Sequence, residues 1–185
     1  RVMMFPVNLC LIAEFSADRS VRMHFHKKYI SVNKKTPLPY DPTFYKILRA
    51  VARDPVVLSM KNFPHHGDTN CYTHCLHVAY FNYKLCRRLH LDYHAAAKAG
   101  MLHDLFLYDW HTHAEETGER FHGLKHPAKA LKNAHQHFSL NHTEKDVILN
   151  HMWPVTPLQI PRTKEGWVIV LTDKYCGLLE TLKIM

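Results

Sequence analysis

The sequence predicts an all-α fold, a bundle-like packing of roughly six to eight helices preceded by an irregular N-terminal segment. Three observations predict it. Apolar residues recur at three- and four-residue intervals from about residue 40 onward, helix start signals in which Asp or His precedes Pro punctuate the chain, and no pair of strands with a convincing turn appears. The 185 residues, 46% of them apolar, suffice for one domain with a sizeable core.

Residues 1–35 form the N-terminal segment, extended or irregular. Its apolar opening, Val2 to Phe15, is interrupted by Pro6, Asn8 and Glu14 and is shorter than the roughly 20 residues a membrane span needs. It has no clear small-x-small cleavage site, so it is read as a packing segment of a cytoplasmic protein. Three prolines between Lys34 and Pro42 mark the passage into a helical domain over residues 36–185.

The first helix runs from Tyr40 to Val51 with Asp41 as N-cap and Pro42 in the first position, and Asp54-Pro55 starts a short second one through Met60. After the polar stretch Pro64 to Asn70, a long amphipathic helix spans Cys71 to Leu89, with Val78, Phe81, Leu85 and Leu89 inward and His74 one turn before Val78. The next begins after Asp92 and runs from Tyr93 to about Trp110. Beyond a polar loop, His126-Pro127 opens a helix to about Phe138. An approximate capping box, Thr143 to Asp146, begins one over Glu144 to Trp153 with His151 in its last turn, and a strongly apolar helix closes the chain from Lys164 to about Leu182.

Adjacent residues His103 and Asp104 stand inside the apolar fourth helix. The helical neighbours of Asp104 are Gly100, Met101, Leu107 and Tyr108, none of them a cation, and those of Asp173 are Ile169, Val170, Cys176 and Gly177. A carboxylate buried without a partner is costly, so a divalent metal ion shared by both answers the problem. Histidine, with 17 residues concentrated between positions 65 and 151, supplies the commonest metal-binding side chain.

The formal charge of +8 favours anionic partners, phosphorylated metabolites or nucleic acid, without choosing between them, and pairs such as Lys27-Lys28, Lys34-Lys35 and Arg87-Arg88 read as solvated faces. Nucleic acid is disfavoured, because no recognised binding motif accompanies the charge. Five cysteines, an odd count without a tight framework, fit reduced buried thiols in a cytoplasmic protein. Cys71, His74, Cys75 and His77 imitate a zinc cluster, but their pairs point to different parts of the helix face.

The order His74, His103-Asp104, Asp173 resembles the HD-domain superfamily of metal-dependent phosphohydrolases. The flanking text carries the likeness: Thr73-His74-Cys75-Leu76-His77-Val78-Ala79, Leu102-His103-Asp104-Leu105 and Leu171-Thr172-Asp173-Lys174. It covers about residues 60 to 180 and implies the superfamily's helical bundle. His126 and His151 fall where two-metal members place their second-metal ligands. The resemblance thus implies a first ion held by His74, His103, Asp104 and Asp173, and a second held by Asp104, His126 and His151, with Asp104 bridging.

Mixed imidazole and carboxylate ligands suit one or two transition-metal ions, iron, manganese, zinc, nickel or cobalt. Two ions roughly 3.5–4 Å apart would hold a bridging hydroxide as nucleophile and clamp a phosphoester during in-line displacement. Asp104 is then central to catalysis, and His66 and Lys125 are the preferred sources of a proton or positive charge for the leaving group, ahead of Asp109, His111 and His113. Lys174, next to a ligand on its helix, is expected to point away.

The implied substrate is a small phosphorylated molecule, with a nucleotide among the candidates because Tyr108 and Trp110 could stack on a base. The text after His151, Met152-Trp153-Pro154-Val155, lacks the Gly-Tyr-Pro extension of cyclic dinucleotide phosphodiesterases. The stretch Leu105 to His111 lacks the acidic residue soon after the His-Asp pair seen in the nucleotidase and stringent-response branches. The chain looks like a bacterial branch whose substrate these motifs do not define. The alternative is a metal-containing module that senses a nucleotide without hydrolysing it. No membrane association is expected, and self-association into a homo-oligomer stays open.

Overall fold

A computed structural model describes residues 38–184, so the expectation for the segment 1–35 lies outside the described residues. Within them the fold is all-α, with eight α-helices and only one isolated bridge, Pro64 to Asn70, outside helix and turn. No described helix is long and apolar enough to cross a membrane.

The entry of the chain follows its start signals. Helix α1 (Pro42–Leu48) is capped by Asp41, whose carboxylate accepts from the backbone of Thr43 and Phe44, and it ends before a 3-10 turn at Val51–Arg53, short of the expected Val51. Asp54 caps α2 (Pro55–Leu58) in the same way, and a second 3-10 turn follows over Ser59–Asn62. Helix α3 (Cys71–Arg88) starts at Asn70, whose side chain accepts from Thr73 N.

Helix α3 is the central element, packed against both α4 and α8. Its first three turns are buried almost all round, and the expected amphipathic stripe is only partly kept: Val78 is buried, Phe81 and Leu85 half-buried, and Leu89 exposed. A helix with neighbours on two sides has no single inner face, which lets α3 hold His74 and His77 inside the core.

Helix α4 spans Tyr93–Leu102, capped by Asp92, and therefore stops well before Trp110. His103 ends it: its Nδ1 donates to the Gly100 carbonyl at 2.8 Å, drawing on an acceptor of the last turn. A tight turn follows, Leu107 adopts a left-handed φ of 62°, and Asn133 Nδ2 donates to the Leu105 carbonyl at 2.8 Å. His103 and Asp104 thus stand on a turn anchored from behind, not inside a helix. Gly100 lets α4 lie against α3, since a Cβ there would sit 2.8 Å from Ala79 Cα.

The polar loop contains a short helix, α5 (His113–Thr117), ended by left-handed Gly118. Helix α6 (His122–His137) begins one turn before the expected His126, so Pro127 lies inside it. The N–H that Pro127 lacks would have reached the carbonyl of Gly123, a half-buried residue in the first turn.

Helix α7 (His142–Asn150) uses the capping box Asn141/Glu144 instead of Thr143/Asp146. Asp146 serves elsewhere, accepting from Thr163 N at 2.8 Å and from Arg162 N at 3.0 Å to dock the connection before α8 (Lys164–Thr181).

Two glycine substitutions check this packing. Gly100→Ala should cost about 1–3 kcal/mol and lower the midpoint by several degrees, whereas Gly123→Ala, whose Cβ would meet only Met152 and Val155 side chains at 3.6 and 3.8 Å, should be neutral or mildly stabilising. Thermal denaturation followed by circular dichroism reads both.

Candidate metal centre

Three elements deliver the first half of the centre. His74 comes from α3, His103 and Asp104 from the turn after α4, and Asp173 from the middle of α8. His74 Nε2 lies 3.1 Å from Asp173 Oδ1 and 4.0 Å from Asp104 Oδ2. His103 Nε2 lies 3.4 Å from Asp104 Oδ2 and 3.5 Å from Asp173 Oδ1. Both imidazoles are fully buried.

The second half lies on the other oxygen of Asp104. His126, from α6, and His151, directly after α7, approach Asp104 Oδ1 at 3.1 and 3.4 Å. The Asp104 carboxylate, 4% exposed as a residue, therefore divides the histidines, with Oδ2 toward one group and Oδ1 toward the other. The six residues anticipated as metal ligands come together in this arrangement.

Each imidazole is aimed by its other nitrogen. Nδ1 of His103, His126 and His151 donates to the backbone carbonyls of Gly100, His122 and Ile148 at 2.8, 3.1 and 2.8 Å. In His74 the acceptor is the Glu180 carboxylate at 2.8 Å. With hydrogen on Nδ1, every neutral ring points an Nε2 lone pair at the centre, the tautomer a metal ion requires.

The donor atoms fit a metal ion. His126 and His151 bring their Nε2 atoms within 2.9 Å. Two lone pairs so close repel unless a cation or proton lies between them, and about 3 Å is the separation of neighbouring nitrogens that are each ~2.1 Å from one ion. Buried His103 Nε2 and Asp104 Oδ1 make no hydrogen bond, although charged or polar partners surround them. The groups His74/His103/Asp104 and Asp104/His126/His151 each gather their donors within 4.8 Å. None includes a cysteine: Cys71 Sγ bonds the Asp104 carbonyl at 3.3 Å and the four described cysteines are buried and free.

Without metal, protons take the place of cations. Burial opposes charge on Asp104 and Asp173, but the facing histidines outweigh it and hold both carboxylates well below their ordinary range. Burial likewise opposes charge on His74 and His103. Bonds to Asp173 and Glu180 outweigh it at His74, and the field of Asp104 does so at His103, so both stand well above the usual imidazole value.

Three residues of the site escape a reading of the sequence. His65, on the loop before α3, bonds Asp104 Oδ2 through Nε2 at 2.7 Å, and burial followed by the field of His74 lowers it to about 4. Glu180 stands two turns after Asp173 on α8, a buried carboxylate in an apolar helix, and that spacing is the signal that would have found it. His122 stacks on His126 with ring centroids 4.5 Å apart and meets the Tyr108 hydroxyl at 2.9 Å.

The remaining candidates separate. The His66 ring, half-buried, packs 5.3 Å from that of His74, and burial and His74 lower its pKa. Lys125 is exposed on α6, where its charge acts on Glu119. Lys174, expected to point away, instead donates from Nζ to the His151 carbonyl at 3.2 Å, within the reach of its long side chain. Asp109 pairs with His111 at 3.0 Å, and His113 with Glu119 at 3.1 Å. The face of Tyr108 stacks on His113 and that of Trp110 on His122, so neighbouring imidazoles lie where a base was envisaged.

A family model described as HD domain matches residues 71–177, more than half of the chain. No curated protein and no solved structure matches it.

Metal binding must displace protons from His74 and His103, whose charged forms are favoured in the metal-free chain. The sign follows: lowering pH fills these sites and weakens the metal. Apparent affinity for Zn²⁺ or Mn²⁺ should fall roughly tenfold per pH unit for each proton displaced, and competition titrations between pH 8 and 6 would reveal a flat profile if no proton were released.

Proposed function

We propose that this chain, which belongs to the HD domain family, is a metal-dependent phosphohydrolase that cleaves a phosphoester of a small phosphorylated substrate, a nucleotide among the candidates, at a two-ion centre. The observation that carries this reading is the division of Asp104, whose Oδ2 faces His74 and His103 while its Oδ1 faces His126 and His151. The donors suit iron, manganese, zinc, nickel or cobalt. When bound, such a pair of ions activates water at neutral pH and stabilises the charge on a phosphoester undergoing displacement.

The chain's own residues account for the rest. Asp104 joins the two half-sites, and Asp173 supplies the other carboxylate of the first. Two carboxylates and four neutral imidazoles against two divalent ions leave the site positive, which suits an anionic ester. The walls of buried imidazole and Phe106 exclude bulk water and so strengthen that field. His66, whose ring packs 5.3 Å from that of His74, is the residue assigned to the leaving group. Its lowered pKa keeps it neutral at pH 7, so it would serve there as a hydrogen-bonding group more readily than as a standing acid. The exposure of Lys125 gives it a role in attracting anions.

A screen of phosphomonoesters, nucleotides and cyclic nucleotides with Mn²⁺ or Fe²⁺ should find turnover of at least one class. Asp104→Ala should abolish turnover and most metal binding. Replacing His126 and His151 by Ala should reduce the metal content from two ions to one and lower kcat by roughly 10²-fold or more, the scale on which loss of one electrostatic stabiliser acts. Two bound ions with no turnover of any ester, together with tight nucleotide binding, would replace the hydrolase by a sensor.

A further inference from the structure

Glu180 is 1% exposed, and each of its carboxylate oxygens is claimed by a different histidine of α3. Oε2 accepts from His74 Nδ1 and Oε1 from His77 Nδ1, both at 2.8 Å, while Thr69 Oγ1 donates to Oε2 at 3.3 Å from the loop before the helix. His77 lies one turn beyond His74. Its Nε2 is buried and makes no hydrogen bond, so its ring's polar contact is with the carboxylate.

We propose that Glu180 is a positioning residue of the metal centre, held in place by His77, and that it makes the first ion site tighter than the second. The inference rests on the two-ion reading above. Among the four imidazole ligands, His74 alone is backed by a charged acceptor, while His103, His126 and His151 lean on neutral backbone carbonyls. A carboxylate behind the imidazole makes Nε2 a stronger donor and fixes its tautomer.

His77 completes the device. A carboxylate that bonds one imidazole through one oxygen can still rotate; with the second oxygen claimed at 2.8 Å it cannot turn without losing a bond inside the core. Both oxygens are occupied as acceptors of N–H groups, the bonding that a carboxylate with two free lone-pair oxygens offers. The placement on α8 links the parts: one helix supplies both Asp173, beside His74 Nε2, and Glu180, behind its Nδ1.

Metal titration of the full chain tests this with Zn²⁺ and Mn²⁺ as probes. The wild type should bind a first ion more tightly than a second. Glu180→Gln, which keeps the shape and removes the charge, should weaken the first ion 10–100-fold and leave the second within about threefold. His77→Leu should weaken the first ion several-fold, and His77→Gln, whose amide can still donate to Oε1, should recover most of that loss. A merely structural role would lower the melting midpoint of these variants without changing first-ion affinity, and that result overturns the proposal.

A measurement on the wild type serves if a variant does not fold. In the zinc-loaded protein, ¹⁵N imidazole spectra should show His74 with hydrogen on Nδ1 and zinc on Nε2; the reverse assignment refutes the inference. Because the readouts are affinity and tautomer, a chain that binds both ions but cleaves no ester sinks the hydrolase alone, whereas equal first-ion affinity in wild type and Glu180→Gln sinks this proposal alone. A wild type that binds no metal overturns both.

Discussion

The structure depends on one buried carboxylate. Asp104 is 4% exposed and faces five imidazoles, those of His65, His74, His103, His126 and His151. Isolated, such an anion would be expensive in an apolar core, and its persistence obliges the surrounding elements to converge on one point. The loop before α3, helices α3 and α6, the turn after α4 and the residue after α7 each send an imidazole there. Their relative placement is therefore a condition of solvating Asp104, and the bundle can be understood as the scaffold that meets it.

That condition explains local features that otherwise look irregular. The helix α4 ends early because His103 takes a backbone carbonyl for Nδ1 and so frees Nε2 for the centre. His151 repeats the device just after α7, again using the carbonyl three residues earlier. Both histidines sit where a helix ends and its last carbonyls lack partners from the next turn. A histidine placed there satisfies a carbonyl and fixes its own tautomer in a single bond.

What the sequence makes legible follows from the range of each interaction. The caps at Asp41, Asp54 and Asp92 bond the residues just after them, so their positions in the text suffice. The six candidate ligand positions are accessible through motif order, and the carboxylates stand out because nothing on their own helix face can pair with them. The boundary of α4 was hidden, since a side chain competing for a carbonyl leaves the hydrophobic period unchanged. The start of α7 shows the same limit. Asn141/Glu144 and Thr143/Asp146 both approximate a capping box, and the choice is made by Arg162 and Thr163, which claim Asp146 from sixteen and seventeen residues away.

The excess of histidine acquires a physical reason from the same geometry. Successive ring contacts run from His66 to His65, His74, His103, His151, His126 and His122, with centroid separations between 4.2 and 5.4 Å. No carboxylate alternates with them along this belt; Asp104, Asp173 and Glu180 touch its edges. An apolar wall would leave the three anions without donors, and a wall of lysine or arginine would neutralise them and offer no lone pair to a metal ion. Imidazole alone provides a donor on one side and an acceptor on the other in a flat ring that packs like a core residue. The belt also needs thin backbone on α8: a Cβ at Gly177 would meet the His66 ring at 3.2 Å, and the loop carrying His65 and His66 lies so close at left-handed Gly67 that a Cβ there would be 2.4 Å from the Glu180 carbonyl. The glycines bring the loop onto α8, the loop brings His65 to Asp104, and Glu180 beneath it aims His74 from behind.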